Sequence, residues 1–438
     1  MKTIPVDSHH VEHPFQEKAL EKLWEPITIA GMTAKNRIVL GAIGAGDYEW
    51  TYPDFSPLHW ALHVALAKGG TGIIIAGEAD VTIKKSPPEA HETEPEWLPP
   101  YARRGGPRRY TKGIFSDDQI PGWAKMIDEC HKWGAKVWPQ LWSTAMWKGR
   151  TTIVRGKGEA KLVPSSWKET GMTPEALGEE TKNFVDAAVR AKKAGADGVQ
   201  FHSTAENLHA ILASKIRNPG VPGYSEDFEA RTRFARECIQ GIKKACGKDF
   251  PVAIRLSPVE YIEGGYDIEY SKQLAKAYVD AGIDCIDVAQ AGFSTQVPQL
   301  QMVDPPGAYA HYARAVKDYL TSLGPPYSEV TILSTCRINN PWQAASMLRN
   351  GDCDMVCLCR QLICDPDWGN KIKEGRIDDI IPCIACVWCL RLENQMCAMN
   401  PQAPFMLNRE VREKLTMTKA KTVKKVLVAG GGLAGMEA

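Results

Sequence analysis

The sequence predicts a (β/α)8 TIM barrel, and three observations predict it. Short β-rich apolar runs alternate with longer segments of helical periodicity, which is the pattern of a parallel sheet. Several of the helical segments end in a glycine, with the next apolar run starting a few residues later, as at Lys68-Gly69-Gly70, Trp133-Gly134-Ala135, Ala194-Gly195-Ala196 and Ala281-Gly282-Ile283. Finally, 438 residues accommodate one barrel of roughly 250 residues with extensions.

In chain order the expected strands are Arg37–Leu40, Gly72–Ala76, Lys136–Leu141, Gly198–His202, Pro251–Leu256, Cys285–Ala289, Thr331–Ser334 and Met355–Leu358. The amphipathic helices expected between them include Leu58–Lys68, Ile120–Trp133, Glu179–Ala194, Phe228–Cys246 and Ile268–Ala281. Eight such units fit a closed barrel better than an open sheet. The barrel is assigned to 23–378, after an N-terminal extension of 1–22. A cysteine-rich segment follows at 379–408, then a polar linker at 409–423. The stretch 424–438, KKVLVAGGGLAGMEA, is a strand running into Gly430-x-Gly432-x-x-Gly435. These glycines permit the tight turn that brings backbone to a pyrophosphate at a helix N-terminus, the opening of a dinucleotide-binding Rossmann domain. A first βαβ unit needs about thirty residues, so we expect this chain to be the front part of a longer protein.

Composition narrows the function classes. Hydrophobic residues make up 44% and charged residues 24%, typical of a globular protein with a large core. Fifty-three basic residues against fifty-two acidic ones leave a net charge of +1, so no overall field favours nucleic acid or an anionic membrane. The run Arg103, Arg104, Arg108 and Arg109 reads as a solvated loop. The N-terminus has no apolar signal segment and no stretch reaches membrane-span length, so a cytoplasmic protein is expected. Eight of the thirteen cysteines (353, 357, 359, 364, 383, 386, 389 and 397) fall within the last hundred residues. A disulfide framework belongs to small secreted domains, so clustered thiols here suggest metal. Cys383-x2-Cys386-x2-Cys389-x7-Cys397 suits either zinc or an iron–sulfur cluster on spacing alone. Cys353, Cys357 and Cys364 are expected to pack in the eighth βα unit.

Strand parity identifies the side chains that can face the barrel interior. Trp138, Gln140 and Trp142 share one face of the third strand, Gln200 and His202 one face of the fourth, and Ala253, Arg255 and Ser257 one face of the fifth. Gln140, His202 and Arg255 near the carboxyl ends are costly unless they form an internal hydrogen-bond network or bind something, and that end of a barrel carries the active site. Arg337 and Arg360 follow the seventh and eighth strands, where barrels place phosphate groups.

These residues carry a resemblance. LWEPITIAGMTAKNRIV (23–39), FSDDQIPGW (115–123), GAKVWPQLW (134–142), AGADGVQFH (194–202), EARTRF (229–234), PVAIRLSPVEYIEGG (251–265) and CRINNP (336–341) resemble the old yellow enzyme family in order, over residues 23 to 375. The cysteines and the Gly430 motif narrow this to the branch with 2,4-dienoyl-CoA reductase, trimethylamine dehydrogenase and bile-acid enoate reductases. The resemblance implies FMN in the barrel, with Gln140 and Arg255 at the flavin ring, Arg337 and Arg360 at the phosphate, and Ala42, Ala76 and Cys359 lining the site. It also implies a [4Fe–4S] centre on Cys383, Cys386, Cys389 and Cys397, with FAD and NAD(P)H in the full-length protein.

Departures from the family pattern bear on mechanism. Ser143 stands where a histidine often follows the third strand, and Ala205 and Asn207 replace the substrate-polarising partner of His202 and the tyrosine proton donor. An asparagine is no general acid. Tyr48, Tyr261, Glu260 and Glu206 are the candidates to replace it, and His202 and Tyr261 are taken as the catalytic pair. Cys336 and Cys359 replace glycines ahead of the phosphate arginines, where a Cβ is expected to crowd the cofactor. Trp142 would form an apolar wall or a core contact. The function implied is hydride transfer from FMN to an electron-poor double bond of an enoate, an acyl-CoA thioester or an aromatic ring, in a cytoplasmic protein with a homo-oligomer open. The alternatives are an amine dehydrogenase that passes electrons outward and a non-catalytic barrel. Loss of the tyrosine counts against the first, and the missing glycines favour the second slightly.

Overall fold

The computed structural model describes residues 18–43, 57–82, 113–143, 152–155, 160–163, 166–204, 207–289, 300, 302–390, 397–400 and 422. Eight parallel strands close into the expected barrel: β3 (Ile38–Leu40), β4 (Ile73–Asp80), β5 (Lys136–Trp142), β8 (Val199–Ser203), β9 (Val252–Leu256), β10 (Cys285–Ala289), β11 (Thr331–Thr335) and β12 (Met355–Leu358), with β12 pairing back to β3. Helices Pro57–Lys68, Ile120–His131, Pro174–Lys193, Phe228–Cys246, Ile268–Asp280, Ala310–Ser322 and Pro341–Arg349 connect successive strands. Side chains Thr173, Asp227, Asp267 and Asn340 accept hydrogen bonds from the first turns of four of them, satisfying otherwise orphaned N–H groups.

Two short antiparallel hairpins were not expected from the sequence. β6 (Thr152–Arg155) pairs with β7 (Ala160–Val163). β1 (Ile27–Ile29) pairs with β2 (Met32–Ala34) ahead of the first barrel strand. Ile29, Met32 and Ala34 of this second hairpin form one buried cluster with the inward residues Val39, Ile73, Ile75, Trp138, Ala253, Cys285, Leu333, Met355 and Cys357. The hairpin therefore plugs the amino-terminal end of the barrel, and apolar packing fills its lower half. Its turn sits against the Asp249 backbone, where the Gly31 N–H donates to the Asp249 carbonyl at 3.1 Å. A Cβ on Gly31 would come within 2.9 Å of the Asp249 Cβ, so glycine permits this approach. A second, larger core lies between strands and helices.

Among the described residues no helix is long and apolar enough to cross a membrane.

Candidate active site

Above the apolar floor the interior turns polar. Gln140 and Gln200 lie opposite each other on β5 and β8, and Arg255 and Asp287 lie opposite each other on β9 and β10. Gln140 Nε2 donates to Gln200 Oε1 at 2.6 Å, and Gln200 Nε2 stands 3.4 Å from Asp287 Oδ2. The Thr335 hydroxyl donates to Asp287 Oδ1 at 2.7 Å. Arg255 Nε lies 3.4 Å from Asp287 Oδ2, within ion-pair range but not aligned as a hydrogen bond. Burial opposes the Arg255 charge, yet the Asp287 carboxylate and a bond to Cys359 hold its pKa above the ordinary value.

The network is incomplete at its upper edge. Gln140 Oε1 and Arg255 Nε are buried with no hydrogen-bond partner among the described residues, and so is Arg337 Nε. Each orphaned buried atom costs about 1–3 kcal/mol. That places unmet polar demand at the carboxyl end of a barrel, which a flavin's polar ring and phosphate would answer, so these residues fit FMN. Arg337 holds a left-handed φ of 60°, and its guanidinium reaches the Met302 carbonyl at 3.4 Å. Arg360 Nη1 donates to the Leu300 carbonyl at 2.6 Å.

The two cysteines that precede Arg337 and Arg360 behave differently. Cys336 is buried in the core outside the barrel and its sulfur accepts from the Ser334 hydroxyl at 3.4 Å, so it points away from the interior. Cys359 faces inward, bonded to Arg255; burial raises its thiol pKa and Arg255 opposes that. A Cβ on Gly41 would meet Cys359 Sγ at 2.6 Å and Cys357 Sγ at 2.8 Å. Ala42 adjoins the inner cluster, whereas Ala76 faces the outer core. Trp142 at the end of β5 is partly buried, and its Nε1 is buried without a partner among the described residues.

His202 Nε2 lies 3.4 Å from Glu78 Oε1, and its Nδ1 lies 3.1 Å from Asn207 Nδ2. Tyr261 is engaged elsewhere. Its hydroxyl is 2.6 Å from that of Tyr312, and burial together with that bond raises its pKa. Glu260 is buried 3.8 Å from Arg217 and accepts from the Tyr266 N–H at 3.1 Å. Burial raises its pKa, with Arg217 opposing. Ser143 is buried just beyond β5. Tyr48, Ala205 and Glu206 lie outside the described residues, as do Arg103, Arg104, Arg108, Arg109, Gly430, Gly432 and Gly435.

Sequence reasoning missed Glu78 and Asp287. Pairing of β4 with β5 jumps from Ala76 to Ala79, so Gly77 and Glu78 form a bulge opposite Gln140. A bulge breaks the alternation of faces, which hid Glu78 from a parity argument. Asp287 was legible as a charged residue in mid-strand, sharing a face with Cys285 and Ala289.

The cysteine segment docks on the same end of the barrel. Asn339 Nδ2 donates to the Cys383 carbonyl at 3.0 Å, and the Cys383 N–H donates to Gln361 Oε1 at 2.8 Å. Cys383, Cys386, Cys389 and Cys397 are free and half-buried. Burial raises the Cys389 thiol to about 12, and Cys383, Cys397 and Cys386 add to this while Arg360 opposes it. The Cys364 thiol bonds to Cys397 and lowers its pKa. Cys353 and Cys357 are buried in the eighth unit, as expected. Among the described residues no group of three or more such ligands is arranged to hold a metal ion. The donor set, four thiols outside any disulfide, still suits a thiophilic centre.

Residues 102–379 match the model of the NADH:flavin oxidoreductase / NADH oxidase family. The chain is 31% identical over 445 residues to a cinnamate reductase of Clostridium sporogenes, covering 95% of this chain and 62% of the relative. It is 29% identical over 432 residues to a metal reductase of Desulforamulus reducens, covering 95% and 58%. The chain thus spans about three-fifths of the length of the curated relatives it matches. Among solved structures, a 2-naphthoyl-CoA reductase complex with 2-naphthoyl-CoA superposes with a TM-score of 0.77 at 25% identity, covering 95% of this chain and 62% of that one.

Proposed function

The chain belongs to the NADH:flavin oxidoreductase / NADH oxidase family, and from that premise we propose that it is a flavin-dependent reductase of electron-poor carbon–carbon double bonds. The substrate class is an enoate, an acyl-CoA thioester or a fused aromatic ring. The observation that carries this reading is the pair of buried, unpartnered atoms Gln140 Oε1 and Arg255 Nε beside His202, above an apolar floor. The names of the cinnamate and 2-naphthoyl-CoA reductases support the conjugated, aromatic character of the substrate.

FMN, when bound, supplies hydride transfer to the double bond, and a [4Fe–4S] centre with FAD supplies its electrons from NAD(P)H. Gln140 and Arg255 would hold the flavin ring, with Asp287 keeping the Arg255 guanidinium charged and oriented. Arg337 and Arg360 would hold the phosphate by charge-assisted hydrogen bonds. His202 donates a hydrogen bond that polarises the substrate carbonyl. Cys383, Cys386, Cys389 and Cys397 would hold the cluster, in the 379–408 segment between the 23–378 barrel and the Gly430–Gly435 motif of the FAD domain. A cytoplasmic setting keeps these thiols reduced.

Anaerobic purification with counting of acid-released flavin, iron and sulfide tests the cofactors. The expected result is stoichiometric FMN and iron. The dithionite-reduced protein should then be reoxidised by cinnamoyl-CoA or cinnamate under argon. Folded protein with no flavin, or reduced flavin inert to every conjugated alkene offered, overturns the reading.

A further inference from the structure

A further thiol, Cys364, stands where the cysteine segment meets the barrel, and it comes from the barrel itself. It closes the short helix Arg360–Cys364. Residues three and four apart on a helix share a face, and Gln361, Cys364 and Asp365 all reach the segment. Gln361 Oε1 accepts from the Cys383 N–H at 2.8 Å, while its Nε2 donates to the Ile381 carbonyl at 2.9 Å. Asp365 Oδ2 accepts from the Ile381 N–H at 2.9 Å. The Cys364 carbonyl accepts from Asn400 Nδ2 at 2.8 Å, which ties the stretch after Cys397 to the same helix.

Cys364 has no exposure to solvent, and its thiol is hydrogen-bonded to Cys397 Sγ. The N–H groups of Met399 and Asn400 are directed at that same sulfur. Three donors on one sulfur suit a thiolate, the form in which cysteine binds a metal. A thiolate has no hydrogen to give, so the bond between the two sulfurs is donated by Cys364. Cys383 Sγ is served in a similar way by the Ala385 N–H at 3.4 Å, where Ala385 holds a left-handed φ of 55°.

We propose that Cys364 is a positioning residue of the cluster, whose S–H donates to the Cys397 ligand sulfur and sets the potential at which the segment takes electrons. This rests on the iron–sulfur reading above. A hydrogen bond to a ligand sulfur favours the state carrying the extra negative charge, so it raises the reduction potential. The centre gains one electron, Cys364 keeps its proton and no bond breaks.

Cys364→Ala removes the donor, Cys364→Val fills the same space without one, and Cys364→Ser keeps a hydroxyl there. All three should retain FMN and, after anaerobic reconstitution, the iron content of the unaltered protein. In a redox titration followed by EPR, the ratio of reduced to oxidised centre at a fixed potential should fall roughly tenfold in Cys364→Ala and Cys364→Val, about 59 mV for one electron. Cys364→Ser should recover part of that fall. An unmoved potential in whichever donor-free variant keeps its FMN overturns the donor role. Loss of iron from such a variant with FMN retained also overturns it, because Cys364 would then be a ligand. An unaltered protein that takes up no iron under reconstitution removes the centre and the donor role together, whereas iron uptake without a shift leaves the centre standing and refutes the donor role alone.

Discussion

Asp287 Oδ2 stands 3.4 Å from Arg255 Nε, on neighbouring strands in register, and Asp287 has no exposure to solvent. Among the described residues this carboxylate is the counter-charge within ion-pair range of that guanidinium, and it also receives the Thr335 hydroxyl. Removing one partner of a buried pair strands the other. We expect Asp287→Asn to lose about 3–5 kcal/mol of stability and to carry less flavin. Urea denaturation and flavin content are the measurements, and unchanged values for both would show that Arg255 needs no partner.

The two arginines proposed to hold the phosphate make a separable prediction. Arg337→Ala and Arg360→Ala each remove a charge-assisted contact worth about 1.5–3 kcal/mol, so FMN affinity should weaken roughly 10- to 100-fold per substitution. Fluorescence titration of the flavin-free protein reads this directly. Equal affinity in both variants would move the phosphate site elsewhere.

Gly41 lies against two thiols. Adding a methyl group in Gly41→Ala places a Cβ 2.6 Å from Cys359 Sγ and 2.8 Å from Cys357 Sγ, closer than contacts permit. Overpacking of this kind costs about 1–3 kcal/mol. The double variant with Cys359→Gly should recover part of that loss, and a double-mutant cycle on thermal unfolding measures the coupling. Strict additivity would mean that Cys359 does not occupy this space.

His209 predicts the response to acid. It is enclosed by Phe184, Phe201 and Phe234, with ring centroids 4.8–4.9 Å away, and its Nε2 has no partner among the described residues. Burial lowers its pKa from 6.5 to about 3, with His202 adding to this. The unfolded chain therefore binds a proton that the folded chain refuses between these values. Stability is undiminished by this group above pH 6.5 and falls on acidification toward pH 3, with a slope of about 1.4 kcal/mol per pH unit. His209→Leu should match the unaltered protein at neutral pH and resist acid better. Identical acid unfolding midpoints would contradict the neutral-histidine assignment.

The cysteine segment can be tested by composition alone. Serine substitution at Cys383, Cys386, Cys389 or Cys397 should each lower bound iron and bleach the visible absorption of a cluster, leaving FMN in place. Full iron retention in Cys397→Ser would remove it from the ligand set.

The strands were legible from local signals. Cys285–Ala289 and Met355–Leu358 have the ends read from the sequence, because apolar runs and glycine stops are properties of adjacent residues. Gln140, His202 and Arg255 were legible as inward-facing polar residues for the same reason, since alternation along a strand needs no knowledge of its neighbours. Tertiary structure decided what those residues touch. Glu78 reaches His202 only because a register shift between β4 and β5 re-aims it, and Asp287 meets Arg255 only through the pairing of β9 with β10. Tyr261 is bonded to Tyr312, 51 residues further along, so its candidacy as proton donor could not be judged from its own segment. The hairpin that plugs the barrel floor is likewise fixed by burial against seven of the barrel's strands. Local sequence set the period of each element; register and closure, which depend on distant partners, set the site.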